Sequence, residues 1–180
     1  MVTGEHIAKT AVDSGLLGTP YKELDCQAFV EVVLQKAGLK IPNYRGSNHM
    51  WRELVYNREP ITDLDVDLDV IPGALVFTVK FDGGEKLRGY HDTMGNAVHV
   101  GISLGNGKVM HSTTGGVQYG STSRFTDWAL IKDVDYEGGE NHESDEGQGS
   151  PQEKLMGLVN ACRNNLDELE ALIRDLYRGS

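Results

Sequence analysis

Three residues of this chain have the types and surroundings for nucleophilic chemistry: Cys26, His99 and His111. A cysteine attacks as its thiolate, so it needs a base for its proton and a third group to orient that base. Cys26 follows a turn marked by Gly18 and Pro20. After it, Phe29, Val30, Val33 and Leu34 recur with helical spacing until Gly38, a C-cap signal. The spacing predicts a helix over 26–37 with Cys26 in its first turn. There, unpaired backbone N–H groups and the positive end of the helix dipole favour a thiolate. Asp25 opposes this as a nearby charge, or caps the helix instead. A packed core cysteine is the other use of such a position, since free cysteine is among the most buried residue types.

Among the six histidines, His6, His49 and His142 fall on helical or linker stretches and His91 in a loop. His99 and His111 differ. Alternation along the strand around Val98-His99-Val100 puts His99 on one face with Ala97 and Gly101, and Val98, Val100 and Ile102 on the other. The turn Gly105-Asn-Gly107 joins this strand to the one carrying His111. With the turn centred near Asn106, antiparallel partners have numbers summing to about 212, so residue 99 faces about 113. His111 then lies diagonal to His99 on the same face, close enough to fix its tautomer. A zinc site made from Cys26, His99 and His111 is the competing use of the same atoms. No Cys-x-x-Cys pair or further ligand cluster accompanies them, so no metal or cofactor is expected.

The elements that must position these residues can be read in order. Helices are predicted over 5–14, 26–37 and 47–56, the last with Ser47 as N-cap and Pro60 beyond its end. Strands follow over 74–81, 97–104, 108–113 and 128–134. Helices first and antiparallel strands afterwards make an α+β domain over residues 1–136. The alternation Asp63-Leu-Asp-Val-Asp-Leu-Asp69 reads as an extended lead-in to a strand, because it lacks the glycine and spacing of a calcium loop. Residues 137–150 are acidic and glycine-rich, the composition of a flexible linker. Beyond it Leu155, Val159, Cys162, Leu166, Leu169, Ile173 and Leu176 form an a/d seam. That seam predicts a helix over 151–180 that makes the chain a homo-oligomer; folding back onto the first domain is its other use.

Charge and composition exclude some partners. The formal net charge is −10, and residues 137–180 hold 4 Lys+Arg against 10 Asp+Glu. A nucleic-acid binder needs a basic face. No run of about 18 apolar residues is present to span a membrane. Cys26 and Cys162 lie in different modules, so a disulfide framework is not expected. The first ten residues lack the basic and apolar regions of a secretory signal. Cytoplasmic synthesis with another route of release, or a trimmed secreted protein, fits that start.

Several stretches resemble the NlpC/P60 cysteine peptidases. Gly18-Thr-Pro-Tyr and Asp25-Cys26-Gln-Ala-Phe-Val30 are similar to the family's nucleophile motif, in which Ser-Gly follows the cysteine. Pro72-Gly-Ala-Leu-Val-Phe77 resembles a family strand with Asp at the third position, and His99 to Ser112 resembles the strand pair holding the catalytic histidine. The resemblance spans about residues 10–135. It implies a papain-like α+β fold and hydrolysis of bacterial peptidoglycan stem peptides, often between γ-D-glutamyl and a diamino acid. Carried over by position, it implies Cys26 as nucleophile, His99 as base, His111 as orienting residue and Tyr21 beside the nucleophile at the oxyanion. A phage-type lysin is one setting for such an enzyme. An amidase or acyltransferase on the same fold, or a non-catalytic scaffold or tail-structure protein, are the alternatives. Gln27-Ala28, Ala74 and the short spacer Lys22-Glu-Leu24 depart from the family pattern and bear on substrate preference.

Overall fold

The computed structural model describes residues 1–61, 70–81, 90 and 92–136, all within a unit Met1–Gly139. The Asp63–Asp69 alternation, His91, the 137–150 linker, and the 151–180 heptad helix with Cys162 lie outside the described residues. Three helices are described: α1 (Gly4–Asp13), α2 (Cys26–Lys36) and α3 (Ser47–Glu53). The strands are β1 (Val2–Thr3), β2 (Val55–Pro60), β3 (Leu75–Lys80), β4 (Asn96–Gly105), β5 (Lys108–Thr113), β6 (Gly116–Ser121), β7 (Asp127–Ile131) and β8 (Val134–Asp135). Six of them form an antiparallel sheet in the order β2-β7-β3-β4-β5-β6, while β1 and β8 pair in parallel. Helices packed on an antiparallel sheet make this an α+β fold.

Helix α2 buries Cys26, Phe29, Val30, Val33 and Leu34, one stripe at 3.6-residue spacing. Gly38 follows the cap at φ 94°, and Leu39 N–H donates back to the Leu34 carbonyl at 3.0 Å, as in a helix closed by a left-handed residue. The stripe meets β4 and β5. Burying five such side chains stabilises the layer by roughly 1.5–3 kcal/mol for each large one.

Helix α3 is shorter than the 47–56 expected from the sequence. It stops at Glu53, and Val55 begins β2. The Arg58 guanidinium folds back on the carbonyls of Trp51 (2.8 Å) and Val55 (3.0 Å), which satisfies acceptors a longer helix would have used. Ser47 is not the N-cap either. Gly46 occupies that position at φ 100°, and the Ser47 hydroxyl instead donates to the Ala97 carbonyl at 2.7 Å. The tertiary partner outcompetes the local one. Strand β6 was also not expected, because Gly116-Val-Gln-Tyr-Gly-Ser has two glycines and weak strand propensity. It forms by pairing along the whole of β5, from Lys108↔Ser121 to Thr113↔Gly116.

The β4–β5 register agrees with the expectation. Ile102 pairs with Met110 and Ser103 with Val109, so the numbers sum to 212. The two-residue loop Asn106-Gly107 has φ 53° and 66°, the left-handed pair of a tight hairpin. An irregularity between Ser103 and Gly105 brings the register to that sum.

The assignment of faces needs one correction. Against β3, Thr78 pairs with His99 but Val79 pairs with Ala97, so Val98 is a bulge with no opposite residue. Ala97 therefore shares a face with Val79 and Val100, not with His99. Val98 leaves the apolar face and is 50% exposed, whereas Val100 and Ile102 are fully buried. His99 keeps the face of Gly101, as expected.

Candidate active site

The site is assembled from the start of α2 and the hairpin β4–β5. Asp25 caps α2 by accepting from Ala28 N–H at 2.8 Å. This fixes the direction in which the first free N–H groups point. The loop ahead of it is stitched to β6: Gly18 N–H donates to the Val117 carbonyl at 2.8 Å, and Val117 N–H to the Thr19 carbonyl at 2.9 Å. Gly116 must be glycine here, with φ 94° and only 2.8 Å between a would-be Cβ and the Thr19 carbonyl oxygen. Ser112, fully buried on β5, donates its hydroxyl to the Leu24 carbonyl. The start of α2 is thus bound to the strand next to the one bearing His99.

Cys26 is 6% exposed. Burial pushes its thiol above the ordinary value and the Asp25 charge adds to this; hydrogen bonds from the backbone at Val100, the Tyr21 side chain and the backbone at Gln27 act the other way. Interactions that lower an acid's pKa are donated to its anion, so these groups aim N–H and O–H donors at the sulfur. The helix start alone predicts a thiolate; the structure corrects this, because desolvation outweighs the donors. Val100 directly follows His99, so the thiol lies against the backbone beside that residue. Tyr21 meets the sulfur too. Burial and the Cys26 interaction raise its own pKa, so the hydroxyl keeps its proton.

His99 Nε2 and His111 Nδ1 stand 2.8 Å apart, a hydrogen bond whose proton direction depends on the tautomers. Burial lowers the pKa of His99. His111 is lowered to about 4, first by burial and then by the charges of His99 and Arg124. At neutral pH both rings are uncharged, and the Cys26 thiol keeps its proton. The ring of His111 fits because two residues near it lack side chains. A Cβ on Gly101 would stand 3.0 Å from His111 Cβ, and one on Gly120 only 2.8 Å from His111 Nε2. That Nε2 is buried and has no hydrogen-bond partner.

Helix α3 holds the approach to His99. Ala97 is gripped at both ends, its N–H donating to Asn48 Oδ1 (3.1 Å) and its carbonyl accepting from Ser47. Arg52 makes a two-pronged pair with Asp92 at 2.8 and 2.7 Å and donates to the Gly95 carbonyl. Together these fix the bulge at Val98 and hence the aim of His99.

All four residues singled out in the sequence gather here. Phe125 was missed. It is 5% exposed and stacks on His99 with centroids 5.6 Å apart and planes 16° apart. It was legible only as the one large apolar residue in the polar run Gly120–Asp127. Gln27, a departure from the family pattern, has a structural use: its amide bridges Glu31 and the Tyr44 carbonyl at 2.9 and 2.8 Å. Among the described residues no group of three or more His, Cys, Asp or Glu is placed to hold a metal ion. None of the described helices is long and apolar enough to cross a membrane.

The model of the NlpC/P60 family matches residues 15–130, which contain every residue of this site. The chain belongs to the NlpC/P60 family. Its members are in general peptidoglycan hydrolases that use a cysteine nucleophile. Among solved structures the chain is similar to the NlpC/P60 domain of the peptidoglycan hydrolase SagA, at 24% identity and TM-score 0.49, covering 72% of this chain and 98% of that one. It is also similar to an NlpC/P60 family protein from Bacillus cereus (21%, TM-score 0.48, covering 68% and 39%). A third similarity is to NlpC1 from Trichomonas vaginalis (16%, TM-score 0.49, covering 71% and 43%). The chain thus spans less than half the length of the last two. A search of curated protein sequences finds no significant match.

Proposed function

We propose that this chain is a cysteine endopeptidase of peptidoglycan stem peptides, acting at the bond between γ-D-glutamyl and the diamino acid. The observation that carries the reading is the convergence on Cys26. The sulfur meets Tyr21 and the backbone beside His99, and His99 is in turn bonded to His111.

The steps follow from the resting protonation states. With thiol and imidazole both neutral, His99 acts first as a general base, taking the Sγ proton as sulfur attacks the peptide carbonyl. The developing oxyanion is met by the Cys26 backbone N–H at the start of α2 and by the Tyr21 hydroxyl. The positive charge on His99 is stabilised if His111 Nδ1 offers a lone pair, which requires the His111 proton on Nε2. His99 then passes its proton to the leaving amine, and the C–N bond breaks to leave a thioester on Cys26. A water deprotonated by His99 releases the acid and restores the thiol.

Digestion of purified cell walls, with mass analysis of the fragments, tests this. The expected products carry new diamino-acid amino termini, and Cys26→Ala abolishes their release while near-UV circular dichroism stays unchanged. Stem peptides freed with a new amino terminus from sugars that keep a lactyl carboxylate would indicate an amidase on the same residues. No release by the intact chain would leave the scaffold reading.

A further inference from the structure

Phe125 is bracketed by the turn that joins the two histidine-bearing strands and by β3, which pairs with the strand of His99. It ends a single 3-10 turn, Thr122–Arg124, closed by Phe125 N–H donating to the Thr122 carbonyl at 2.9 Å. Thr122 N–H donates to the carbonyl of Gly107, in the turn between β4 and β5, at 3.0 Å. On the other side Thr126 N–H donates to the Phe77 carbonyl of β3 at 2.9 Å. Backbone anchors three residues before Phe125 and one residue after it leave the aromatic ring little freedom. It lies flat on His99 and tilted by 60° to His111, at 5.4 Å.

The backbone of β4 does not itself fix the plane of His99. Rotation about the last side-chain bond of histidine is broad and roughly two-fold. A single 2.8 Å bond to His111 fixes where one nitrogen sits and still allows the ring to rock about that line. A flat aromatic face stops the rocking. It also covers the bond between the two rings from water, and a hydrogen bond in a dry site is stronger than one in a wet site.

We propose that Phe125 is a positioning residue for the reaction: its ring holds the plane of His99 against His111 and keeps water from the bond that joins them. The role rests on His99 acting as the base. The ionisable group bonded to His99 is His111 from β5; Arg124 from the turn acts on His111, and Asp25 and Tyr21, from the start of α2 and the loop before it, act on Cys26. Of these, only Arg124 is carried on the same turn as Phe125, so substitution of the aromatic ring leaves the others in place.

The test uses two variants of the full chain and two readouts. Phe125→Leu keeps an apolar cover and removes the flat face; Phe125→Ala removes both. In nitrogen-15 imidazole spectra the wild type is expected to show one His99 tautomer. Phe125→Leu shows a mixture, with kcat on cell walls down about tenfold and KM within about twofold, the signature of lost orientation. Phe125→Ala raises the His99 titration midpoint toward 6.5 and moves the acid limb of kcat/KM up with it. A single tautomer and wild-type kcat in Phe125→Leu would overturn the proposal, even if Phe125→Ala fails to fold. Without wall hydrolysis by the wild type the endopeptidase reading fails. The tautomer and titration of His99 still decide the role of Phe125, an unchanged pair of spectra overturning it.

Discussion

The hydroxyl of Ser112 hangs the carbonyl of Leu24 from the strand that also carries His111. Cys26 and His111 are therefore tied through one buried hydrogen bond and three intervening residues.

Ser112→Ala tests that tie. It leaves the Leu24 carbonyl buried without its donor, which costs about 1–3 kcal/mol. The melting temperature is expected to fall by several degrees, and kcat by a larger factor than such a loss of stability explains. Thermal denaturation and wall digestion at a temperature where the variant is fully folded check both.

Asp25 has two separable effects on Cys26. Its carboxylate caps α2, and its charge raises the thiol pKa. Asn caps a helix about as well as Asp, so Asp25→Asn keeps the helix start and removes the charge. The rate of thiol alkylation against pH should then rise with a lower midpoint at Cys26, at nearly unchanged stability. A midpoint that stays or climbs contradicts this account.

The buried histidines make stability depend on pH in one direction. His111 titrates near 6.5 when unfolded and at about 4 when folded. Between these values the unfolded chain binds more protons, so acid favours unfolding. The contribution is complete above pH 6.5 and is lost as pH falls toward 4, for a total of about 3 kcal/mol from this group. His99, also lowered, adds in the same sense. Urea midpoints across that range should decline in the wild type and decline less in His111→Gln.

Much of the site was legible because its parts are local patterns. The 26-29-30-33-34 stripe gives α2, and the Asn106-Gly107 turn gives the hairpin register that brings His99 to His111. What escaped was set by distant partners. Ser47 looks like an N-cap until Ala97 is present to take its hydrogen bond. Val98 alternates correctly with Val100 until pairing with β3 forces a bulge. The polar strand β6 has no pattern of its own and exists through β5. Phe125 stands alone in a hydrophilic run, and nothing near it in the chain says what it covers.

The C-terminal seam is open to a direct measurement. Removing residues 137–180 is expected to leave a monomer by light scattering, while the full chain has a multiple of its own mass. The heptad spacing from Leu155 to Leu176 motivates this. Equal protomer masses for both would remove the self-association reading.

The unpaired residue at Val98 acts as a shock absorber in the ladder. Upstream of it the chain is held by α3, through Ala97, Gly95 and Asp92, as well as by β3; downstream it is held by β3 and β5. A shift of the backbone on the α3 side can thus be absorbed at Val98 before it turns the His99 ring.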